Sequence, residues 1–143
     1  MPYEFLEDTA VADIAFRAWG KNLETTFTAA ADAVMNVMVE ELDSIEIHQE
    51  RRIQLESEAL DMLLFEFLQN LIYFKDFEGL LLRPRILKIT EQDSRFFADA
   101  AIGGEPIDLK RHLLRVDVKA VTLHRFRLEK TAEGWEAFVI LDI

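Results

Sequence analysis

Hydrophobic and polar positions alternate along several stretches of the chain, while two longer stretches repeat their hydrophobic positions every three or four residues. The alternation predicts half-buried strands and the longer period predicts helices. Strands are predicted over Tyr3–Leu6, Asp13–Trp19, Ile45–Leu55, Leu81–Thr90, Arg95–Ile102, Arg115–Leu128 and Trp135–Ile143. Turn residues at 92–94, at Gly103-Gly104 and at Glu133-Gly134 separate the later strands into hairpins.

Two helices are predicted between the early and the later strands. The first covers about Leu23–Val39, and Asn22 is suited to cap its N-terminus. The second covers about Ser57–Asp76, with Ser57 as its cap and Gly79 beyond its end. It is apolar on nearly all sides, which indicates a helix inside a core. The order of elements predicts an α+β fold, a single domain over residues 1–143, in which two long helices pack on a mostly antiparallel sheet.

The charge of the chain narrows the classes of partner. It has 143 residues with 16 basic and 27 acidic side chains, a net charge of −11. Because nonspecific nucleic-acid binding depends on basic side chains that neutralise phosphates, we expect no tight, direct binding of nucleic acid. An acidic excess is typical of proteins that bind cations or a basic protein partner, or that simply need solubility.

Several classes of protein and of functional site are disfavoured by what the sequence lacks. There are no cysteines, which excludes disulfides, thiolate metal sites and cysteine nucleophiles. The N-terminus does not resemble a signal peptide and no apolar run would span a membrane, so a cytoplasmic protein is expected. There is no glycine-rich phosphate loop, His-Glu-x-x-His motif or nucleophile elbow, which argues against intrinsic catalysis.

Carboxylates near both ends of the chain are the first candidates for chemistry. Asp13 opens a predicted strand, and Asp142 stands beside Ile143, whose α-carboxylate would add further oxygens. Together they would form a site of the kind that Ca²⁺ and Mg²⁺ prefer. From spacing alone, a solvated turn residue and a frayed chain end are the more common interpretation.

Three further residues have both a structural and a functional interpretation. Glu66 lies in an otherwise apolar helical stretch, where it forms either the narrow wet face of a core helix, with Gln69 and Asn70, or a contact with a partner. Lys119 and His124 lie in a stretch of strong strand propensity. On their own they are more typical of surface positions than of a functional cation or ligand.

The order and spacing of these segments resemble the archease family over essentially the whole chain. The similarity lies in the segments Tyr3–Ala10, Ala12–Ile14, Arg17–Gly20, Leu23–Phe27, Leu63–Leu71, Gly104–Asp108, His112, Lys119–His124 and Gly134–Ile143. The resemblance implies a non-catalytic activator of a GTP-dependent RNA ligase that joins 3′-phosphate to 5′-hydroxyl ends in tRNA splicing and RNA repair. The activator would promote guanylylation and multiple turnover of that ligase.

The same resemblance implies a divalent cation, Ca²⁺ first and Mg²⁺ or Mn²⁺ as alternatives, bound by Asp13, Asp142 and Ile143. Asp8 stands where family members often carry a histidine, so it is a candidate neighbour of the cation. Glu66 and Lys119 match positions that the family uses functionally, and His124 is a further candidate for partner contact.

Two other functions are kept as alternatives to the ligase activator. One is a metal-dependent phosphohydrolase that uses Asp13 and Asp142. The other is a general chaperone or scaffold that binds no metal.

Overall fold

The computed structural model describes residues 2–6 and 13–143 of the chain, so that Asp8 lies outside the described residues. The helices are α1 (Leu23–Met38) and α2 (Leu60–Glu78), with a short 3₁₀ turn at Leu42–Ser44. The strands are β1 (Tyr3–Leu6), β2 (Asp13–Gly20), β3 (Gln49–Ser57), β4 (Leu80–Gln92), β5 (Arg95–Pro106), β6 (Ala120–Val121), β7 (Arg127–Thr131) and β8 (Gly134–Asp142).

The described strands form two antiparallel sheets. One has the order β1-β2-β8-β6, with β7 also paired to β8, and the other has the order β3-β5-β4. Both helices contact strands of both sheets, so the core lies around the helices. The predicted α+β class is confirmed, and its antiparallel strands are divided between two sheets. Among the described residues, neither helix is long and apolar enough to cross a membrane.

Helix α1 begins at the residue that its N-cap predicts. The Asn22 side chain accepts a hydrogen bond from the Thr25 backbone N–H at 2.8 Å, and the Asn22 N–H donates to Thr25 Oγ1 at 3.3 Å. This reciprocal pair satisfies N–H groups that a helix start leaves without an intrahelical acceptor. The helix then buries Phe27, Val34 and other apolar side chains against the sheets.

Helix α2 begins three residues later than predicted, at Leu60, so the prediction that Ser57 caps it is wrong. Ser57 is the last residue of β3 and is held in register with Phe96 of β5. Its hydroxyl accepts a hydrogen bond from the Ala59 N–H at 3.2 Å, just before the helix. The C-terminus agrees better with the prediction, since Gly79 ends α2 in a left-handed conformation with φ +67°.

The predicted turn at Gly103-Gly104 is also wrong, because both residues lie within β5. A Cβ atom on Gly104 would lie 1.8 Å from the carbonyl oxygen of Leu81 in β4. Glycine is therefore needed for the close approach of two backbones within the sheet, a role that resembles a turn signal in the sequence.

The long strand predicted over Arg115–Leu128 is replaced by two short strands, β6 and β7. Before β6, the Lys75 ammonium group of α2 bonds to the Asp117 carboxylate and, at 3.0 Å, to the Val118 carbonyl. These bonds hold the segment against the helix. The strand predicted over Ile45–Leu55 likewise starts only at Gln49, after the 3₁₀ turn.

Candidate metal centre

Strands β2 and β8 direct alternate side chains toward the helices and toward the opposite face of the five-stranded sheet, which we call the outer face. Buried Phe16 and Ala18 are in register with Val139 and Ala137, which identifies the face toward the core. The outer face carries Asp13, Ala15, Arg17 and Trp19, in register with Asp142, Ile140, Phe138 and Glu136.

Asp13 and Asp142 are direct partners across this pair of strands. Asp13 is the first residue of β2 and Asp142 the last residue of β8. Side chains that stand opposite each other in an antiparallel pair have Cβ atoms about 4.5–5.5 Å apart. The fold thus brings two carboxylates from opposite ends of the chain together on the outer face. They lie at the edge formed by the start of β2 and the end of β8.

The residues that follow β8 and precede β6 hold this edge together. The Lys119 N–H donates to the Asp142 carbonyl oxygen at 2.8 Å, and Ala120 is the strand partner of Asp142. The side chain of Ile143 packs against the hydrophobic core. The Lys119 side chain is exposed beside the same edge.

The donor set at this edge suits a hard divalent cation. Within the described residues, the half-buried Asp142 carboxylate makes no hydrogen bond or ion pair. Asp13 adds a second carboxylate directly across the strand pair. Ca²⁺ and Mg²⁺ take oxygen ligands of this type and complete their coordination with water or other oxygens. The residues present therefore fit the cation that the family resemblance implies.

Glu66 lies on an exposed part of α2 near β6, one turn from Gln69. The Gln69 side-chain oxygen accepts a hydrogen bond from the Val121 N–H at 2.9 Å, which ties this part of the helix to β6. The Asn70 amide donates to the Glu66 carbonyl oxygen at 2.8 Å. Of the predicted wet face, Glu66 is thus exposed to solvent, whereas Gln69 is engaged with β6.

His124 is exposed in the turn that follows β6, where the Phe126 N–H donates to the Leu123 carbonyl at 3.2 Å. No hydrogen bond or ion pair of the His124 side chain is present in the part of the chain that the structure describes. His124 lies four residues beyond Ala120, the strand partner of Asp142.

A second acidic cluster, not identified from the sequence, surrounds Glu105 at the end of β5. Glu105 is only 3% exposed. Its carboxylate accepts hydrogen bonds from the Glu46 backbone N–H at 2.6 Å, from His112 Nε2 at 3.0 Å and from the Arg111 guanidinium. Burial raises the pKa of Glu105, but these three hydrogen bonds outweigh it and lower the pKa to about 2.

His112 is held in one tautomer within this cluster. Its Nδ1 accepts a hydrogen bond from the Asp108 N–H at 2.8 Å, so the ring proton lies on Nε2, which donates to Glu105. One oxygen of Glu46 and one of Glu105 also lie within 4.8 Å of each other and of a nitrogen of His48, a spacing that would suit a metal ion.

Arg111 opposes a metal role for this second cluster because its guanidinium already bonds to both Glu46 and Glu105. The sequence offers a weak signal for the network in the spacing of Glu105, Asp108 and His112. Glu46 and His48 lie almost sixty positions earlier, so only the fold reveals their contact with it.

Comparison with known proteins agrees with the fold and with the resemblance in sequence. The model of the Archease protein family matches residues 3–143. An archease of Pyrococcus abyssi is 35% identical over 142 residues, covering 99% of this chain and 98% of that protein. An archease of Methanosarcina barkeri is 37% identical over 142 residues, covering 99% of this chain and 95% of that protein.

Solved structures give the same result. The solution structure of a Methanobacterium thermoautotrophicum protein matches with a TM-score of 0.85 at 34% identity and covers 99% of both chains. A Thermotoga maritima archease, described as a possible chaperone, shares the fold with a TM-score of 0.56 at 17% identity, covering 94% of this chain and 93% of that one. The match over residues 3–143 and the full-length relatives place this chain in the archease family.

Proposed function

We propose that the protein is a non-catalytic activator of a GTP-dependent RNA ligase and that it acts through a divalent cation, Ca²⁺ first, held by Asp13, Asp142 and Ile143. The observation that carries the proposal is the direct cross-strand pairing of Asp13 with Asp142. Like charges placed directly opposite each other destabilise a sheet, and a bound cation would offset that repulsion. The chain belongs to the archease family, and an RNA ligase is the partner that the resemblance to this family implies.

The residues of this chain would hold the cation in position and would not themselves react. Asp13 starts β2 and Asp142 ends β8, so both carboxylates are held by a paired sheet instead of a loop. The Lys119 N–H fixes the backbone of Asp142 from the other side. When bound, the cation would supply positive charge to phosphate oxygens at the ligase active site. Positioning of this kind lowers a barrier without a catalytic group on the activator.

Electrostatics supports a protein partner over RNA. The net charge of −11 repels a phosphate backbone but attracts a basic, RNA-binding ligase surface. The exposed side chains of Glu66, Lys119 and His124 are then candidates for contact with the ligase.

The proposal is tested by multiple-turnover ligation with the GTP-dependent RNA ligase from the same genome. Wild-type protein should raise the number of turnovers, and Asp142→Asn should abolish this stimulation. Asp93→Asn is a matched control, because Asp93 is exposed in the turn after β4 at φ +53°, a conformation that asparagine accepts. Full stimulation by the Asp142→Asn protein would reject the cation-centred mechanism.

Two further assays separate the alternatives. Hydrolysis of generic phosphoesters or nucleotides in the presence of Ca²⁺, Mg²⁺ or Mn²⁺, lost in Asp13→Asn, would identify a phosphohydrolase that uses the same carboxylates. Suppression of the aggregation of unrelated proteins, with no thermal shift on adding Ca²⁺, would identify a general chaperone without a metal. Neither result is expected if the protein is a dedicated activator.

A further inference from the structure

Two guanidinium groups lie over one aromatic ring on the outer face. The Cζ atoms of Arg125 and Arg127 are 5.0 Å and 5.2 Å from the ring centroid of Phe138. Phe138 is only 7% exposed, so the ring is a supported platform and not a mobile side chain. Stacking on an aromatic face orients the planar guanidinium group and leaves its N–H edges available to other acceptors.

Within the described parts of the chain, Arg127 has one carboxylate partner and Arg125 has none. In residues 2–6 and 13–143, Arg125 makes no ion pair or hydrogen bond. Arg127 Nε lies 2.9 Å from a Glu129 carboxylate oxygen, yet this buried nitrogen makes no hydrogen bond. Arg85 is likewise without an ion pair among the described residues, so the distinguishing feature of Arg125 and Arg127 is that both guanidinium groups lie over one buried ring.

Arg17, on the same face, is an arginine whose charge is neutralised by neighbouring carboxylates. Its guanidinium bonds to Glu136 at 2.7 Å and to Glu4 at 3.0 Å while lying over Trp19. The hydrogen bond to Glu136, followed by that to Glu4, raises the pKa of Arg17. Two carboxylates thus satisfy Arg17 on the outer face, whereas no carboxylate among the described residues pairs with Arg125.

The arginine pair and the aspartate pair lie on the same face of the same strand. Phe138 and Asp142 are both outer-face residues of β8, four positions apart, which corresponds to about 13 Å along a strand. Arg127 is the cross-strand partner of Phe138. Arg125 reaches the ring from the turn between β6 and β7, where it has φ +55°.

We propose that Arg125 and Arg127 form a phosphate subsite that works together with the cation site of Asp13 and Asp142. Guanidinium groups bind phosphate oxygens through paired N–H donors. The net charge of −11 disfavours a long phosphate backbone and favours a ligand whose phosphates are concentrated in one group. Such phosphate belongs either to a nucleoside triphosphate or to the 3′-terminal phosphate of an RNA. The inference rests on the proposed function for the cation, but the arginine pair can be tested separately.

The test is a calorimetric titration of the full-length protein with GTP and, separately, with a short RNA that carries a 3′-phosphate, in the presence of Ca²⁺. The double variant Arg125→Gln/Arg127→Gln should bind the accepted ligand about tenfold or more weakly than wild type, since charge-assisted hydrogen bonds are lost. The matched control is Arg85→Gln, an exposed arginine of β4 that makes no ion pair among the described residues. It should bind within about twofold of wild type, because single surface charges contribute little.

The titrations with the two ligands identify the kind of molecule that carries the phosphate. Binding of GTP alone assigns the subsite to a nucleotide, and binding of the phosphorylated RNA but not of its unphosphorylated counterpart assigns it to an RNA end. Binding of neither ligand by the wild-type protein would overturn the proposal. An equal loss of binding in the control variant would also overturn it, since the effect would then be one of general charge.

Calcium-induced thermal stabilisation separates this inference from the proposed function. The arginine variants should keep the wild-type shift with Ca²⁺, because the cation ligands are untouched. If the wild type shows no shift with Ca²⁺, the cation model fails, while the titrations repeated in EDTA still decide whether the arginine pair binds phosphate.

Discussion

Two carboxylates of this archease-family protein occupy opposite environments. Glu105 is 3% exposed and accepts hydrogen bonds from the Glu46 N–H, from Arg111 and from His112. Asp142 is half-buried, stands opposite Asp13, and makes no hydrogen bond or ion pair in the described part of the chain. The first carboxylate is satisfied by the protein itself, whereas the second has no such partner among residues 2–6 and 13–143.

This difference distinguishes Glu105, a carboxylate with a structural role, from Asp142, a candidate metal ligand. A buried charge is tolerated only when hydrogen bonds and opposite charge replace the water it has lost. The Glu105 network does this by joining the segment that precedes β3 to the loop after β5. Asp142 retains access to solvent and lies beside a like charge, an arrangement that a cation would stabilise.

Replacing Glu105 should give the largest effect on stability. Glu105→Ala removes the acceptor of three hydrogen bonds and leaves the Arg111 charge without its most buried partner. We expect a loss of about 3 kcal/mol in the free energy of unfolding, measured by urea denaturation. A loss below about 0.5 kcal/mol, the range of ordinary surface changes, would contradict a structural role.

Calcium should stabilise the protein through Asp142 by a slightly smaller amount. At a free Ca²⁺ concentration one hundred times the dissociation constant, binding to the native state should add about 2.7 kcal/mol. Asp142→Asn should remove this gain, whereas Glu46→Gln should preserve it. Thermal unfolding with Ca²⁺ and with EDTA measures the difference, and equal stabilisation of both variants would argue against the site.

Acid should weaken the contribution of Glu105 to the free energy of unfolding over a defined range of pH. The pKa of this carboxyl falls from 4.5 to about 2 in the folded protein, so its ionised form stabilises the fold. The contribution is complete above the unfolded-state pKa and is lost as the pH falls through the folded-state pKa. The stability difference between wild type and Glu105→Gln should therefore narrow between about pH 5 and pH 2. A difference that does not vary with pH would show that the charge of Glu105 is not what stabilises the network.

Asp142→Asn should have the smallest effect on the free energy of unfolding when no divalent cation is present. The substitution removes a charge opposite Asp13 and breaks no hydrogen bond of the Asp142 side chain among the described residues. In EDTA we expect a change within about 0.5 kcal/mol, toward higher stability. Urea denaturation in EDTA checks this prediction. A marked destabilisation would mean that Asp142 is a structural acid like Glu105.

The predictions from sequence succeeded where local signals were sufficient. The Asn22 cap, the helix end at Gly79 and the strand that begins at Asp13 were all predicted, since each depends on residues adjacent in the chain. They failed at Ser57 and at Gly103-Gly104, because there the strand pairing overrides the capping or turn preference of the residue.

The sequence by itself determined the α+β class and the family, because periodicity and the order of short motifs depend only on positions along the chain. The cation ligands it proposes, through the family resemblance, remain a prediction. Only the tertiary structure decided which acidic groups meet. Glu105 contacts Glu46, and Arg125 and Arg127 meet Phe138, through pairing and packing between distant segments. Such contacts depend on how whole strands align, and no local preference of the residues involved encodes that alignment.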